Sequence, residues 1–107
     1  MKYTEYKNYF FVGIGGIGMS ALAKYLFQNN KHIYGYDRVQ SKITDQLVKE
    51  GIDISYVFTK SLIELKRLNP KNTLIVYTPA ISHDNKILQY CLDKKFTLIK
   101  RAKILSE

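Results

Sequence analysis

Sulfur, histidine and proline are scarce in this chain. A single cysteine, Cys91, stands among 107 residues, so no disulfide framework can form within the chain, and this usage fits a reducing compartment. Of the two histidines, His32 begins an apolar run and His83 lies in an expected loop. No cysteine or carboxylate cluster accompanies either at metal-ligand spacing, so both read as structural or solvated. No nucleophile is paired with a base, so covalent catalysis has no candidate, and Cys91 on an apolar helical face reads as core. Long hydrophobic runs are lacking too. The one apolar N-terminal stretch, Tyr9–Ile14, is interrupted by glycine and is too short for a signal sequence or a membrane span. Without repeats, low-complexity tracts or linkers, one domain accounts for the length.

Acidic residues are also few, nine against 17 lysines and arginines, for a net charge of +8. The basic residues are scattered, in runs no longer than pairs such as Lys94-Lys95, and no aromatic-basic RNA-binding signature accompanies them. This reads as a lysine-rich solvated surface that favours anionic ligands and not as a nucleic-acid face. The nine tyrosines read as composition and not as a stacking platform.

What the chain does have is a concentrated use of glycine. Residues 11–20 run Phe-Val-Gly-Ile-Gly-Gly-Ile-Gly-Met-Ser, and Tyr-Gly-Tyr-Asp follows at 34–37. Gly13, Gly15 and Gly18 satisfy G-x-G-x-x-G between a predicted strand and a predicted helix, with the acidic Asp37 where the next strand ends. Such a turn seats a diphosphate on a helix N-terminus, where unpaired amides and the helix dipole favour anions by about 0.3–1 kcal/mol per contact. The same residues half-match a phosphate loop, since Gly13 and Gly18 are spaced G-x-x-x-x-G and Ser20 stands at the hydroxyl position. Met19 occupies the lysine position, however, which argues against ATP hydrolysis at this turn. Asp37 can accept from a ribose hydroxyl or a base, or pair with Arg38. Thr78-Pro79-Ala80-Ile81 is expected across the crevice from the glycine turn, where Thr78 and nearby amides can reach phosphate or sugar.

The remaining pattern alternates strands with helices. Strands are expected over Tyr9–Val12, His32–Tyr36, Ile52–Phe58, Thr73–Tyr77 and Phe96–Ile99. The continuously apolar Thr73–Tyr77 suits a parallel sheet covered on both faces. Helices are expected from Gly18 to the stop at Asn29-Asn30, with Met19, Leu22, Ala23, Leu26 and Phe27 on one face. A second runs from the cap Ser41 to Gly51, with Ile43, Leu47 and Val48 facing inward. Others cover Ser61–Leu68, Asp84-Asn85 through Leu92, and Arg101–Leu105. Together these elements make a Rossmann-like, doubly wound α/β domain: a mostly parallel five-stranded sheet with helices on both faces.

The run from Val12 to Ala23 strongly resembles the N-terminal domain of the Mur ligases. The similarity continues through Tyr34–Asp37, Ser41–Gly51, Val76–Asn85 and Lys100–Leu105, nearly the whole chain. It is strongest to the branch that joins L-alanine to UDP-N-acetylmuramic acid. The resemblance implies a cytoplasmic, ATP-dependent, amide-forming ligase of peptidoglycan synthesis that works through an acyl phosphate. In it, this domain would hold the UDP portion, with Gly13, Gly15, Gly16, Ile17, Gly18, Met19 and Ser20 at the diphosphate. Asp37 would lie toward the uridine end, and Thr78, Pro79 and Ala80 on the opposite wall. It further implies that residues 1–107 form one UDP-sugar-binding domain without a metal or cofactor of its own. ATP, Mg2+ and L-alanine would be handled by central and C-terminal domains absent from this sequence, so this chain would be inactive alone. Two other readings use the same residues. A nicotinamide or adenine dinucleotide domain of an oxidoreductase or transport regulator would place Asp37 on the adenosine ribose. A basic protein-interaction or nucleic-acid module is disfavoured by the sheet pattern and the dispersed charge.

Overall fold

The computed structural model describes residues 2–59, 62, 63, 66–78 and 85–104. Five strands form a single parallel sheet: β1 (Asn8–Val12), β2 (His32–Tyr36), β3 (Asp53–Ser55), β4 (Thr73–Tyr77) and β5 (Thr97–Lys100). Their spatial order is β3-β2-β1-β4-β5. The chain therefore winds outward from β1 in one direction through β3, then crosses back to β4 and continues the other way. A switch in strand order next to β1 opens a crevice at the carboxyl ends of the strands, where open α/β sheets take their ligands.

The central strands are apolar throughout because both faces of the sheet are covered. All five residues of β1 are buried, and Leu74, Ile75 and Val76 of β4 are fully so. Alternate residues of β1 enter different cores. Tyr9 and Phe11 pack with Met19, Leu22, Ala23 and Leu26 of helix α1 (Ile17–Gln28) and with Leu47 of α2 (Lys42–Lys49). Phe10 and Val12 pack on the other face with Ile87, Leu88 and Cys91 of α3 (Lys86–Asp93) and with Ile63 and Leu68. A last short helix, α4 (Arg101–Ile104), follows β5 and buries Ile104 in the first core.

Helix ends obey the local chemistry. Asn29 closes α1, and Asn30 takes φ 67°, a left-handed geometry that asparagine tolerates better than most residues. Ser41 caps α2: its hydroxyl accepts from the Thr44 amide at 3.2 Å, while the Thr44 hydroxyl accepts from the Ser41 amide at 2.8 Å. Gly51, at φ 106°, ends that helix as expected. Several expectations change in extent or facing: β1 and α1 each begin one residue earlier than expected, and β5 runs Thr97–Lys100 where Phe96–Ile99 was expected. The third strand is confined to Asp53–Ser55, because it lies at the sheet edge and pairs with β2 alone. Val48 is about half exposed, while Leu47 is fully buried and Ile43 packs against the core; the helix turns Val48 out of the stripe. The helix expected from Asp84-Asn85, α3, begins at Lys86 with Asn85 as its cap. Residues 61, 64 and 65 of the expected Ser61–Leu68 helix lie outside the described residues, as do His83, Asp84 and Leu105.

Candidate ligand-binding site

β1 runs straight into the glycine turn. The amides of Gly13 and Ile14 both donate to the Tyr36 carbonyl, at 2.8 and 3.1 Å, which joins the end of β1 to the end of β2. Gly13 sits at φ 88°, where an L side chain is strained, and the Gly16 amide closes back onto the Gly13 carbonyl at 3.2 Å. The chain then enters α1 with Gly16 at the cap position, which provides no side-chain acceptor. The first helical residues, Ile17, Gly18 and Met19, thus present the positive end of α1 along the wall of a cleft of about 600 Å3. That volume falls within the ~300–1,000 Å3 range of small-molecule sites.

Asp37, at the carboxyl end of β2, lines this cleft. Its carboxylate accepts from the Gly15 amide at 2.8 Å and from the Val39 amide at 3.1 Å. Among the described residues it makes no salt bridge to Arg38. Asp37 is therefore the strut that holds the glycine turn against the loop after β2. The turn is packed as tightly as it is bonded. A Cβ on Gly15 would fall 2.8 Å from Asp37 Oδ2 and 3.1 Å from Thr44 Cγ2, so the second glycine is required by its protein neighbours. Gly35 serves the same turn from β2, since a Cβ there would lie 2.5–3.0 Å from three carbons of the buried Ile14.

The expected site residues divide accordingly. Gly13, Gly16, Ile17, Gly18, Met19, Asp37 and Thr78 line the cleft, Thr78 from beyond the end of β4. Gly15 and Ser20 stand behind the lining. The Gly15 amide is bonded to Asp37, and the Ser20 hydroxyl donates to the Ile17 carbonyl at 3.0 Å within α1. Pro79 and Ala80 lie outside the described residues. Four further lining residues escape the motif: Tyr36, Arg38, Asn85 and Arg101. Arg38 is adjacent to the acidic marker and could have been included on that ground. Asn85 is legible only as the start of α3, which it caps by accepting from the Ile87 amide at 2.8 Å. Arg101 carries no local signal, because the return of β5 alone brings it to the cleft.

Electrostatically the cleft suits an anion. Among the described residues that line it, two guanidinium groups and a helix N-terminus face a single carboxylate that is already engaged by two amides. No group of three or more metal-ligating side chains occurs among the described residues, and none of their helices is long and apolar enough to cross a membrane. Cys91 is fully buried in the second core, and burial pushes its thiol up to about 12, so it is no nucleophile at neutral pH.

Comparison with known proteins places this arrangement. Residues 8–107 match the sequence profile of the Mur ligase family, catalytic domain. The UDP-N-acetylmuramate–L-alanine ligase of Porphyromonas gingivalis is 44% identical over 94% of this chain and 22% of its own length. That of Christiangramia forsetii is 42% identical over 92% of this chain and 22% of its own length. The crystal structure of the UDP-N-acetylmuramate-alanine ligase of Thermotoga maritima superimposes with a TM-score of 0.79 at 31% identity, covering 92% of this chain and 21% of that one. The chain spans about a fifth of the length of these relatives. With its five parallel strands, its glycine turn and a profile match across nearly its whole length, the chain belongs to the Mur ligase family.

Proposed function

We propose that this chain is the domain that binds UDP-N-acetylmuramate in an ATP-dependent UDP-N-acetylmuramate–L-alanine ligase of peptidoglycan synthesis. The observation that carries the reading is the cleft at the strand-order switch, where the uncapped first turn of α1 and two arginines converge on one volume. A diphosphate answers that arrangement, because its charge meets both the helix end and the guanidinium groups. The choice of a UDP-sugar follows the relatives, which are named for action on UDP-N-acetylmuramate. Amide-bond formation needs ATP and Mg2+, and the glycine turn is unsuited to hydrolysing ATP because Met19 stands where a phosphate-loop lysine would be. In this reading the chain binds and orients the sugar nucleotide, and the acyl-phosphate chemistry falls to other domains.

Titration calorimetry with UDP-N-acetylmuramate and with NAD tests the assignment. The expected result is tighter binding of UDP-N-acetylmuramate by about tenfold or more, equivalent to ~1.4 kcal/mol. Preference for NAD would overturn the ligase assignment in favour of a dinucleotide domain.

A further inference from the structure

Away from the ligand cleft, at the amino ends of β4 and β5, two turns are built on one plan. After α3 the Phe96 amide donates to the Cys91 carbonyl and the Lys95 amide to the Leu92 carbonyl, both at 3.0 Å, and Lys95 takes φ 71°. Ahead of β4 the Leu68 amide donates to the Ile63 carbonyl at 3.2 Å, and Arg67 takes φ 55°. In each turn a left-handed residue precedes a buried apolar one, a closure that glycine ordinarily makes at a helix end. Gly51 makes it for α2 and Asn30 for α1, the helices that cover the first core. The turns of the second core use an exposed arginine and lysine instead, whose Cβ is adverse at such a φ. A helix C-terminus favours a cation, but the strained position is not needed to supply one. In α2 Lys49 does so beside Gly51, and α3 already has Lys94 as its C-cap.

The two apolar residues, Leu68 and Phe96, wall a cavity of about 230 Å3 together with Ile63, Pro70 and Tyr90. Lys94 also lines it, its ammonium 5.8 Å from the centre of the Tyr90 ring. This volume lies below the ~300–1,000 Å3 of small-molecule sites and suits a single apolar side chain. Its surroundings are basic. Along residues 66–72 and 90–96, Lys66, Arg67, Lys71, Lys94 and Lys95 stand against Asp93 alone. Lys66 is committed to Asp53, and Asp93 accepts from the Gln89 amide group at 2.9 Å. Arg67, Lys71, Lys94 and Lys95 are exposed and form no ion pair among the described residues. An apolar socket therefore sits among four uncompensated cations.

We propose that this socket docks an acidic segment of a partner protein, with one leucine or phenylalanine side chain inserted and carboxylates on either side of it meeting Arg67 and the three lysines. Charge complementarity selects this occupant. A second copy of the chain would bring the same positive rim against it, at a cost. Nucleic acid would answer the charge but leave the socket empty, because Tyr90 and Phe96 are too deeply buried to stack on bases. The ligand cleft lies at the opposite ends of the strands, so partner and ligand occupy separate places.

The experiment titrates the chain into a fluorescein-labelled peptide, Glu-Asp-Glu-Phe-Asp-Glu-Asp, and follows fluorescence polarisation. Micromolar binding that weakens as salt is added is expected. Replacing the phenylalanine of the probe by serine should weaken binding by about tenfold or more, as should Lys94→Glu or Lys71→Glu in the protein. Arg38→Glu, on the ligand cleft, leaves it unchanged. The Arg67→Gly/Lys95→Gly variant separates docking from folding. Glycine relieves both left-handed positions, so the melting temperature is expected to stay near the parent's or rise while affinity for the peptide falls. Binding of the probe weaker than about 1 mM, equal affinity for the serine probe, or full affinity in the double glycine variant overturns the proposal. Oligothymidine bound as tightly as the peptide also overturns it, in favour of a nucleic-acid surface. Self-association in sedimentation that Lys94→Glu abolishes overturns it in favour of a second copy.

Discussion

Asp37 illustrates how much a single side chain can be asked to do. In the sequence it is the acidic residue after the second strand, an acceptor for a ligand hydroxyl. In the structure each of its oxygens already accepts from a backbone amide, Gly15 on one side and Val39 on the other. Replacing it with asparagine keeps the shape but leaves one oxygen for two donors and turns an NH2 group toward the other amide. Asp37→Asn is therefore expected to destabilise the domain by about 1–2 kcal/mol, the scale of a lost charge-assisted bond at a partly solvated site. For a domain of this size the melting temperature should fall by roughly 4–8 °C per kcal/mol. Calorimetric unfolding in the absence of ligand checks this, and an unchanged melting temperature would show that the two bonds contribute nothing to the folded state.

Among the elements, α2 matters to the site more than its distance in sequence from the glycine turn suggests. Its capping box places the fully buried Thr44 so that its methyl group would meet any side chain at Gly15. Ser41→Ala removes the acceptor for the Thr44 amide and should cost about 1 kcal/mol, whereas Ser41→Asp should restore most of it. Urea midpoints for the three proteins, read at constant slope, measure the difference. At this scale the sequence was largely legible. The cap at Ser41, the stops at Asn29-Asn30 and Gly51, and the extent of β4 depend on neighbouring residues and can be read locally. What depends on the fold could not be read that way. Nothing near Arg101 announces that it will rest on Gly18, and nothing near Gly35 shows that Ile14 will lie over it. Val48 fits an apolar stripe by spacing, yet faces water because α2 rests on Leu47.

The molecule as a whole hides its one thiol. Cys91 is buried where both β1 and β4 cover it, and its pKa is raised from 9.0 to about 12 by that burial. The unfolded chain releases this proton near pH 9 while the folded chain keeps it. The unfolded state thus binds fewer protons between these values, and stability falls as pH rises through that window. Below about pH 8 the thiol has almost no effect. Between pH 8 and pH 10 the loss attributable to Cys91 is ~1.4 kcal/mol, and Cys91→Ala should remove this component while tyrosines and lysines continue to titrate. Urea denaturation of parent and variant at the two pH values provides the comparison. Equal declines in both proteins would contradict it.

The bridge from Asp37 to Gly15 and Val39 also has a bearing on engineering. It makes the loop after β1 and the loop after β2 one mechanical unit, with Gly35 and Thr44 as its inner walls. The glycine motif is consequently not a portable decapeptide. Transplanting residues 11–20 into another sheet would carry the letters of the motif without the carboxylate that shapes it. A graft that is to keep the shape must bring the stretch from Gly35 to Thr44 along with it.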